Sequence, residues 1–360
     1  MAQLADLLHH LIDQRGSDLL IKVGSPPHLR VNGRLLATEF PQMGPAEIEE
    51  VVAELLPAAK AEELIDTGEV DVAHSVAGLG RFRVNVYRQR GSLGLAVRRV
   101  VPGAPAIGDL HLPEVIEKIA SEPHGLIIVT GAAASGRTTT VAGIIDHVNA
   151  HRAAHIVTLE DPIEVLHEDK QSLVSQREIG ADTGSLLSGI RRAGRQNADV
   201  IFVDEIRDVE VAAAVLSEAA SGRLVVSTMS TLSAAETVRR LLELFPPDQQ
   251  VPARRALASL LRGVIAQRLL DRADGKGRVP AVEVLLGTAK IEDAIAGAAD
   301  EFELAKLVRE GEYYGMQTFD QALFQLYKDN LIGVREALAA ASRPEDLRIS
   351  LQQAGLSAAY

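Results

Sequence analysis

A two-domain α/β protein, its second domain built on a parallel sheet, is the fold class that the sequence predicts, and three observations predict it. The chain has 360 residues, enough for two domains of about 100–200 residues each. Residues 1–100 mix helical stretches with alternating apolar and polar segments between glycine turns, the period of half-buried antiparallel strands. From about residue 113 short apolar runs alternate with helices, the pattern of a parallel sheet covered on both faces.

The elements follow in order. An amphipathic helix over LADLLHHLIDQRG is expected to stop at Gly16. Short strands follow at Asp18–Val23 and Leu29–Val31, with Asn32-Gly33 as a hairpin turn. A helix begins at Pro45, which suits the first turn because it lacks an N–H, and ends before Pro57. VDVAHSV, RFRVNVYRQRG and SLGLAVRRV read as antiparallel strands. Residues 101–112, VPGAPAIGDLHL, carry no periodicity and predict a linker. LIIVT, HIVTLE, VIFVDE and LVVSTM then predict strands, and TTVAGIIDHVNAH and VAAAVLSEAASG predict helices. Residues 113–288 form this second domain, and 289–360 form a mostly helical tail with segments such as AKIEDAIAG and TFDQALFQLYKDN.

Composition narrows the function. A hydrophobic content of 47% supports a real core, and no apolar run approaches the roughly 18 residues that span a bilayer. MAQLADLLHH has no basic region followed by an apolar core, so no signal peptide is expected. With no cysteine there is neither a disulfide framework nor a thiolate metal site, and the expected location is cytoplasmic. A net charge of −12 argues against nucleic acid as a partner, since that affinity comes largely from neutralising phosphates. Aromatic residues, at 3%, are too few for a base-stacking platform.

The sharpest motif is GAAASGRT, covering Gly131, Ala132, Ala133, Ala134, Ser135, Gly136, Arg137 and Thr138, with Thr139 following. It fits the phosphate-loop pattern G-x-x-x-x-G-K-[ST] except that Arg137 stands for the lysine. Such a loop turns backbone N–H groups inward at a helix N-terminus, where the helix dipole favours anions. Thr138 would offer its hydroxyl to Mg²⁺, and Arg137 would reach the β/γ-phosphates. A planar guanidinium does not replace a compact ammonium directly, and the Ala134 methyl is expected to crowd the cradle. Taken alone, the segment equally suits an ordinary strand-to-helix turn. VIFVDE, ending at Glu205, reads as an apolar strand whose carboxylate meets a metal. TLEDPIEV brings Glu160, Asp161 and Glu164 to another strand end, where a carboxylate would polarise an attacking water.

Together and in register these segments resemble the PilT family of type IV pilus retraction ATPases over nearly the whole chain. SDLLIKVGSPPHLRVNGRL is similar to that family's opening, and RFRVNVYRQRG with LAVRRV to its arginine-bearing strands. LEDPIE resembles its acidic box, VIFVDEIRDVE its Walker B segment, and SQREIGADT and GEYYGMQTFDQAL its later segments. The resemblance implies a RecA-like P-loop ATPase domain, an N-terminal PAS-like α+β domain, and ATP with Mg²⁺ as ligands. It implies Glu164 in the place of the catalytic glutamate, and Glu205 with Thr138 at the metal. It also implies a ring of six subunits, either a homo-hexamer or a hetero-hexamer with a paralogue, peripheral to the inner face of the cytoplasmic membrane and working with an inner-membrane pilus platform protein. Arg81, Arg83 and Arg98 are the arginines that would complete a neighbour's nucleotide site.

The departures from the family pattern gather around the nucleotide. Arg137 replaces the lysine, and Ser230 stands where the family has the histidine of its His box, with no histidine after His167 to substitute. GRQNAD, ending at Asp199, replaces an R-E-D-P-D segment while Arg191 and Arg195 remain, and KIEDAIAG departs from A-I-R-N-L-I-R. Two functional classes are therefore expected: a slow or conditional ATPase that powers pilus retraction, or a non-catalytic ring subunit that modulates an active paralogue. A pilus assembly or secretion ATPase would usually carry further N-terminal domains and a four-cysteine zinc site.

Overall fold

Apolar residues spaced three and four apart bury Leu4, Leu7, Leu8 and Leu11 on one side of helix α1 (Leu4–Asp13) in the computed structural model, which describes residues 4–31 and 33–356. The chain leaves this helix through Arg15, whose φ of 52° is left-handed. Gly16, expected as the stop, instead has an ordinary φ and donates its amide to the Leu11 carbonyl at 2.8 Å.

By its contacts the chain divides into two units, one of Met1–Pro102 with Glu164–Leu166, the other of Gly103–Ile163 with His167–Tyr360. In the first unit, β1 (Asp18–Lys22), β2 (His28–Val31) and β3 (Arg34–Ala37) form a meander. Asn32 of the expected turn lies outside the described residues. Helices α2 (Pro45–Leu55) and α3 (Ala58–Thr67) follow, the latter unforeseen in the sequence. Strands β4 (Glu69–Val76), β5 (Gly80–Gln89) and β6 (Ser92–Arg99) complete a six-stranded antiparallel sheet of order β3-β2-β1-β6-β5-β4. Alternation puts Phe82, Val84 and Val86 of β5, with Leu95 and Val97 of β6, into the core beside the α1 leucines and Ile48 of α2. A short strand, β7 (Val101–Pro102), ends this stretch.

The second unit begins with a segment that packs rather than hangs free. Ile107 is buried, and residues 105–110 run so close to the helix after the phosphate loop that a Cβ on Gly143 would lie 3.0 Å from Leu110 Cδ1 and 3.3 Å from the Pro105 carbonyl. Lack of periodicity marked this stretch as a linker because its contacts come one residue at a time. Then follow α4 (Val115–Ala120), β8 (Gly125–Thr130), α5 (Arg137–His151), β9 (His155–Glu160), β10 (Val165–Leu166) and β11 (Leu173–Glu178). β10 pairs in parallel with β7 and so belongs to the first unit. After them come α6 (Leu186–Ala193), β12 (Val200–Glu205), α7 (Val209–Ala220), β13 (Leu224–Met229), α8 (Ala234–Glu243), α9 (Gln250–Leu260), β14 (Leu261–Asp271) and β15 (Arg278–Leu286).

These strands form a seven-stranded sheet of order β11-β9-β12-β13-β8-β14-β15. Six run parallel; β15 returns antiparallel to β14 as an edge hairpin that the strand–helix alternation had not disclosed. Every residue of β8 is buried because helices cover both faces. Each Val or Ile so buried contributes about 1.5–3 kcal/mol, which makes β8 a firm floor for the loop that follows. The tail comprises α10 (Ala289–Ala296), α11 (Glu301–Glu310), α12 (Phe319–Lys328), α13 (Val334–Ala340) and α14 (Pro344–Gln353). It packs on β14 and β15, where the Arg268 guanidinium lies 4.0 Å over the Phe319 ring.

Candidate nucleotide site

At the carboxyl end of β8 the chain turns through residues 131–136 into α5. Gly131 (φ 153°) and Gly136 (φ 91°) hold backbone angles that favour glycine, and both lie against Gln267 of β14. A Cβ on Gly136 would come within 2.9 Å of Gln267 Nε2. That amide, 1% exposed, donates to the Ser135 carbonyl at 2.6 Å and pins the loop from below. Thr130, the last residue of β8, bonds through its hydroxyl to the Met229 and Thr231 carbonyls and to the Thr231 hydroxyl, which fixes the ends of β8 and β13 together.

The helix start suits an anion. Gly136 is the N-cap of α5, no side chain caps the helix, and its first turn has no acidic residue, so the leading N–H groups have no side-chain acceptor. Thr138 and Thr139 are exposed beside it, as are Ala132, Ala133 and Ala134, whereas the Ser135 hydroxyl is buried without a hydrogen-bond partner. Ala134, expected to crowd the cradle, is set apart by its backbone. Its methyl is exposed, and its burden is a φ of 62° that an L-residue adopts at a cost of roughly 1–2 kcal/mol.

β12 delivers the acids through an irregularity. Val203 pairs with Ser227 but Glu205 pairs with Thr228, so Asp204 is bulged out of the ladder. The bulge directs two consecutive carboxylates differently. Burial pushes Asp204 up to about 6, with only a 3.3 Å hydrogen bond from the Asp161 amide and the neighbouring Arg207 charge in its favour. Burial acts on Glu205 the same way, but hydrogen bonds from Ser230 and Arg207 and the charges of Arg207 and Arg137 outweigh it and hold this carboxyl below its usual range.

The two family departures meet here. Arg137 Nη1 donates to the Met229 carbonyl at 2.9 Å and to Ser230 Oγ at 2.7 Å. Ser230 Oγ in turn donates to Glu205 Oε1 at 2.5 Å, and Arg137 Nη1 lies 3.8 Å from that oxygen. Arg207 Nε holds the other oxygen, Oε2, at 2.8 Å. The structure thus brings together Arg137, Glu205 and Ser230, with Thr138 one residue on.

Glu160 and Glu178 are buried and opposite one another on β9 and β11; Glu160 accepts from Thr158 and Gln176, and Glu178 from the Ile163 amide. Glu164 is exposed and opens the three-residue excursion of the first unit. Arg81, Arg83 and Arg98 share the outer face of the first unit's sheet, with Arg83 directly across from Arg98. Arg98 is held by Asp18 at 2.8 Å. Asp199 accepts from the His155 amide at 2.9 Å, a tie between strands. Two further residues, Gln267 and Arg207, bear on the site. Gln267 is a polar residue amid the apolar run GVIAQRLL, which was its one signal, and Arg207 lay within the Walker B-like segment without an assigned role.

A hydroxyl and a carboxylate are hard oxygen donors of the kind that Mg²⁺ takes together with substrate phosphates. Among the described residues there is no cluster of three or more His, Cys, Asp or Glu side chains that could hold a metal ion.

A phosphate loop at the switch between a central parallel strand and a helix, facing an acidic strand end, defines the class of P-loop ATPases. Comparison with known proteins gives the family. Residues 111–296 match the family described as type II/IV secretion system protein. The type IV pilus ATPase PilU of Pseudomonas aeruginosa is 35% identical over 96% of this chain and 90% of its own length. The type IV pilus retraction ATPase PilT of the same organism is 34% identical over 95% and 99%. The crystal structure of the pilus retraction motor PilT with bound ADP superposes with a TM-score of 0.87 at 36% identity, covering 97% of this chain and all of that one. The chain belongs to the type II/IV secretion family of ATPases, in the company of PilT and PilU, as the resemblance implied.

Gln267→Leu keeps the volume but leaves the Ser135 carbonyl unsatisfied. It should lower stability by about 1–3 kcal/mol and weaken nucleotide binding, read by thermal unfolding and by titration with a fluorescent ADP analogue. Asp204 yields a pH test. With its folded pKa near 6, above the ordinary 3.8, the native state holds this proton more tightly than the unfolded chain, so stability falls as pH rises from about 4 to 6 and stays reduced above. In EDTA and without nucleotide, Asp204→Asn should gain on the parent between pH 4 and pH 7 by on the order of 2–3 kcal/mol. Equal unfolding midpoints at both pH values would refute this.

Proposed function

We propose that this chain is a cytoplasmic motor ATPase that uses ATP hydrolysis to drive type IV pilus retraction as part of a six-membered ring. The observation that carries the reading is the meeting of the phosphate loop with the Walker B-like acid through Arg137, Ser230 and Glu205, in a chain whose relatives over almost full length are pilus ATPases.

In this reading the backbone N–H groups of residues 131–138 cradle the phosphates and the α5 dipole adds to their hold. Thr138 and Glu205 are the residues that would hold Mg²⁺. When bound, that ion neutralises charge on the phosphate oxygens. Glu164 accepts a hydrogen bond from the attacking water and orients it. Arg81, Arg83 and Arg98, on one face of the first unit's sheet, supply positive charge to a neighbouring subunit's site. Among the described residues no helix is long and apolar enough to cross a membrane, so attachment to the membrane would pass through a partner such as the pilus platform protein.

A second reading, a non-catalytic ring subunit that modulates an active paralogue, is favoured by one observation. The positive charge of the loop is already engaged by Glu205, Ser230 and a backbone carbonyl.

Hydrolysis by the pure protein decides between the two. The motor reading expects Mg²⁺-dependent phosphate release that falls at least tenfold, about 1.4 kcal/mol, in Glu164→Gln while nucleotide binding persists. Nucleotide binding without release in the parent supports the regulatory subunit. Light scattering with and without Mg-ATP should show six-fold assemblies, and a strict monomer at high concentration under both conditions would exclude the ring.

A further inference from the structure

Arg137 and Ser230, two positions where this chain departs from the family pattern at the site, touch one another, and their contact engages both N–H groups of Arg137 Nη1 and the one hydroxyl proton of Ser230. The two N–H groups of Arg137 Nη1 go to the Met229 carbonyl and to Ser230 Oγ. The single hydroxyl proton of Ser230 goes to Glu205 Oε1 while its lone pair accepts from the guanidinium. The hydroxyl therefore spans the 3.8 Å gap between cation and carboxylate with two charge-assisted bonds of 2.7 and 2.5 Å. Both charged side chains are largely withdrawn from water, at 21% and 16% exposure, so screening does little to loosen them.

We propose that Ser230 is a positioning residue that latches Arg137 to Glu205, and that this latch opens before the loop takes up a nucleotide's phosphates. The proposal rests on the phosphate-loop reading above. A phosphate oxygen at Arg137 Nη1 displaces the carbonyl or the serine, and displacement of the serine releases Glu205 Oε1 at the same moment. The loop's cation and the metal-side carboxylate are thus made available together, by one side chain that touches both. The latch stabilises the empty protein and opposes binding, so the two effects of removing it have opposite signs.

Ser230→Ala in the full chain tests this without metal. In EDTA, the unfolding midpoint of the nucleotide-free protein should fall, while affinity for fluorescent mant-ADP should rise by about three- to tenfold, with faster association. Ser230→Thr, which keeps the hydroxyl at an exposed position, should restore the parental values of both. A serine with a merely structural role would lower the midpoint and leave affinity unchanged or weaker, and that result overturns the latch. If the parent binds mant-ADP and Ser230→Ala binds it equally well, the latch alone is wrong. If neither the parent nor any variant binds nucleotide, the phosphate-loop reading falls and the latch falls with it.

Discussion

The bond from the Gln267 amide to the Ser135 carbonyl is the constraint on which the site depends. In the loop after β8 the Ser135 amide turns inward to the Ala132 carbonyl, which leaves the Ser135 carbonyl in need of a donor from outside the loop. β14 meets that need with a buried amide 2.6 Å from the carbonyl. The contact also explains why the loop needs glycine at 131 and 136, since a Cβ at either position would strike the same glutamine residue. β14 itself stands in place because β15 closes the edge of the sheet and the tail helices pack on the hairpin. A helical tail remote in sequence thus bears on the shape of a phosphate cradle, through a hairpin and one side chain.

Electrostatics at the site form a chain in which each group sets the next. The Ser230 hydroxyl and two arginines hold Glu205 ionised against its burial, while one residue earlier Asp204 lies in a drier place and keeps its proton toward neutral pH. Neighbouring carboxylates with divergent proton affinities are a mark of functional sites, and here the divergence arises from backbone geometry. On a regular strand the two would point to opposite faces; the bulge adds a different degree of burial for each. The family departures fit the same chain. A histidine at 230 beside an arginine at 137 would set two bulky cation-forming groups against one carboxylate, whereas serine leaves room for the guanidinium and bridges it to the acid.

Much of the fold was legible in the sequence because its signals are local. The mostly apolar runs at 125–130, 156–159 and 200–203 have one explanation, burial on both faces, and the alternation over 82–86 and 95–97 has another, burial on one. What stayed hidden depends on long-range contact. β14 and β15 carry arginines and a glutamine among their apolar residues, and only their pairing with β8 and with one another makes them strands of the main sheet. The close course of residues 105–110 relies on the missing Cβ of Gly143, more than thirty positions away in sequence. At the site, residue types pointed to Arg137, Thr138 and Glu205, because phosphate and metal chemistry demands them. They gave no sign that Arg137 bonds to Ser230, and no sign that Ala134 faces solvent in a left-handed conformation.

The bulge at Asp204 divides the changes this site can absorb from those it cannot. Side chains around it have been exchanged in this chain, lysine for arginine and histidine for serine, and the geometry adjusts through new bonds. Length is another matter. The ladder between β12 and β13 holds one residue more on β12 than on its partner, so loss of a single codon at 204 would restore regular pairing of Val203 and Glu205 with Ser227 and Thr228 and remove the buried acid at one stroke. In this segment the count of residues, and not their identity alone, is what places the two acids.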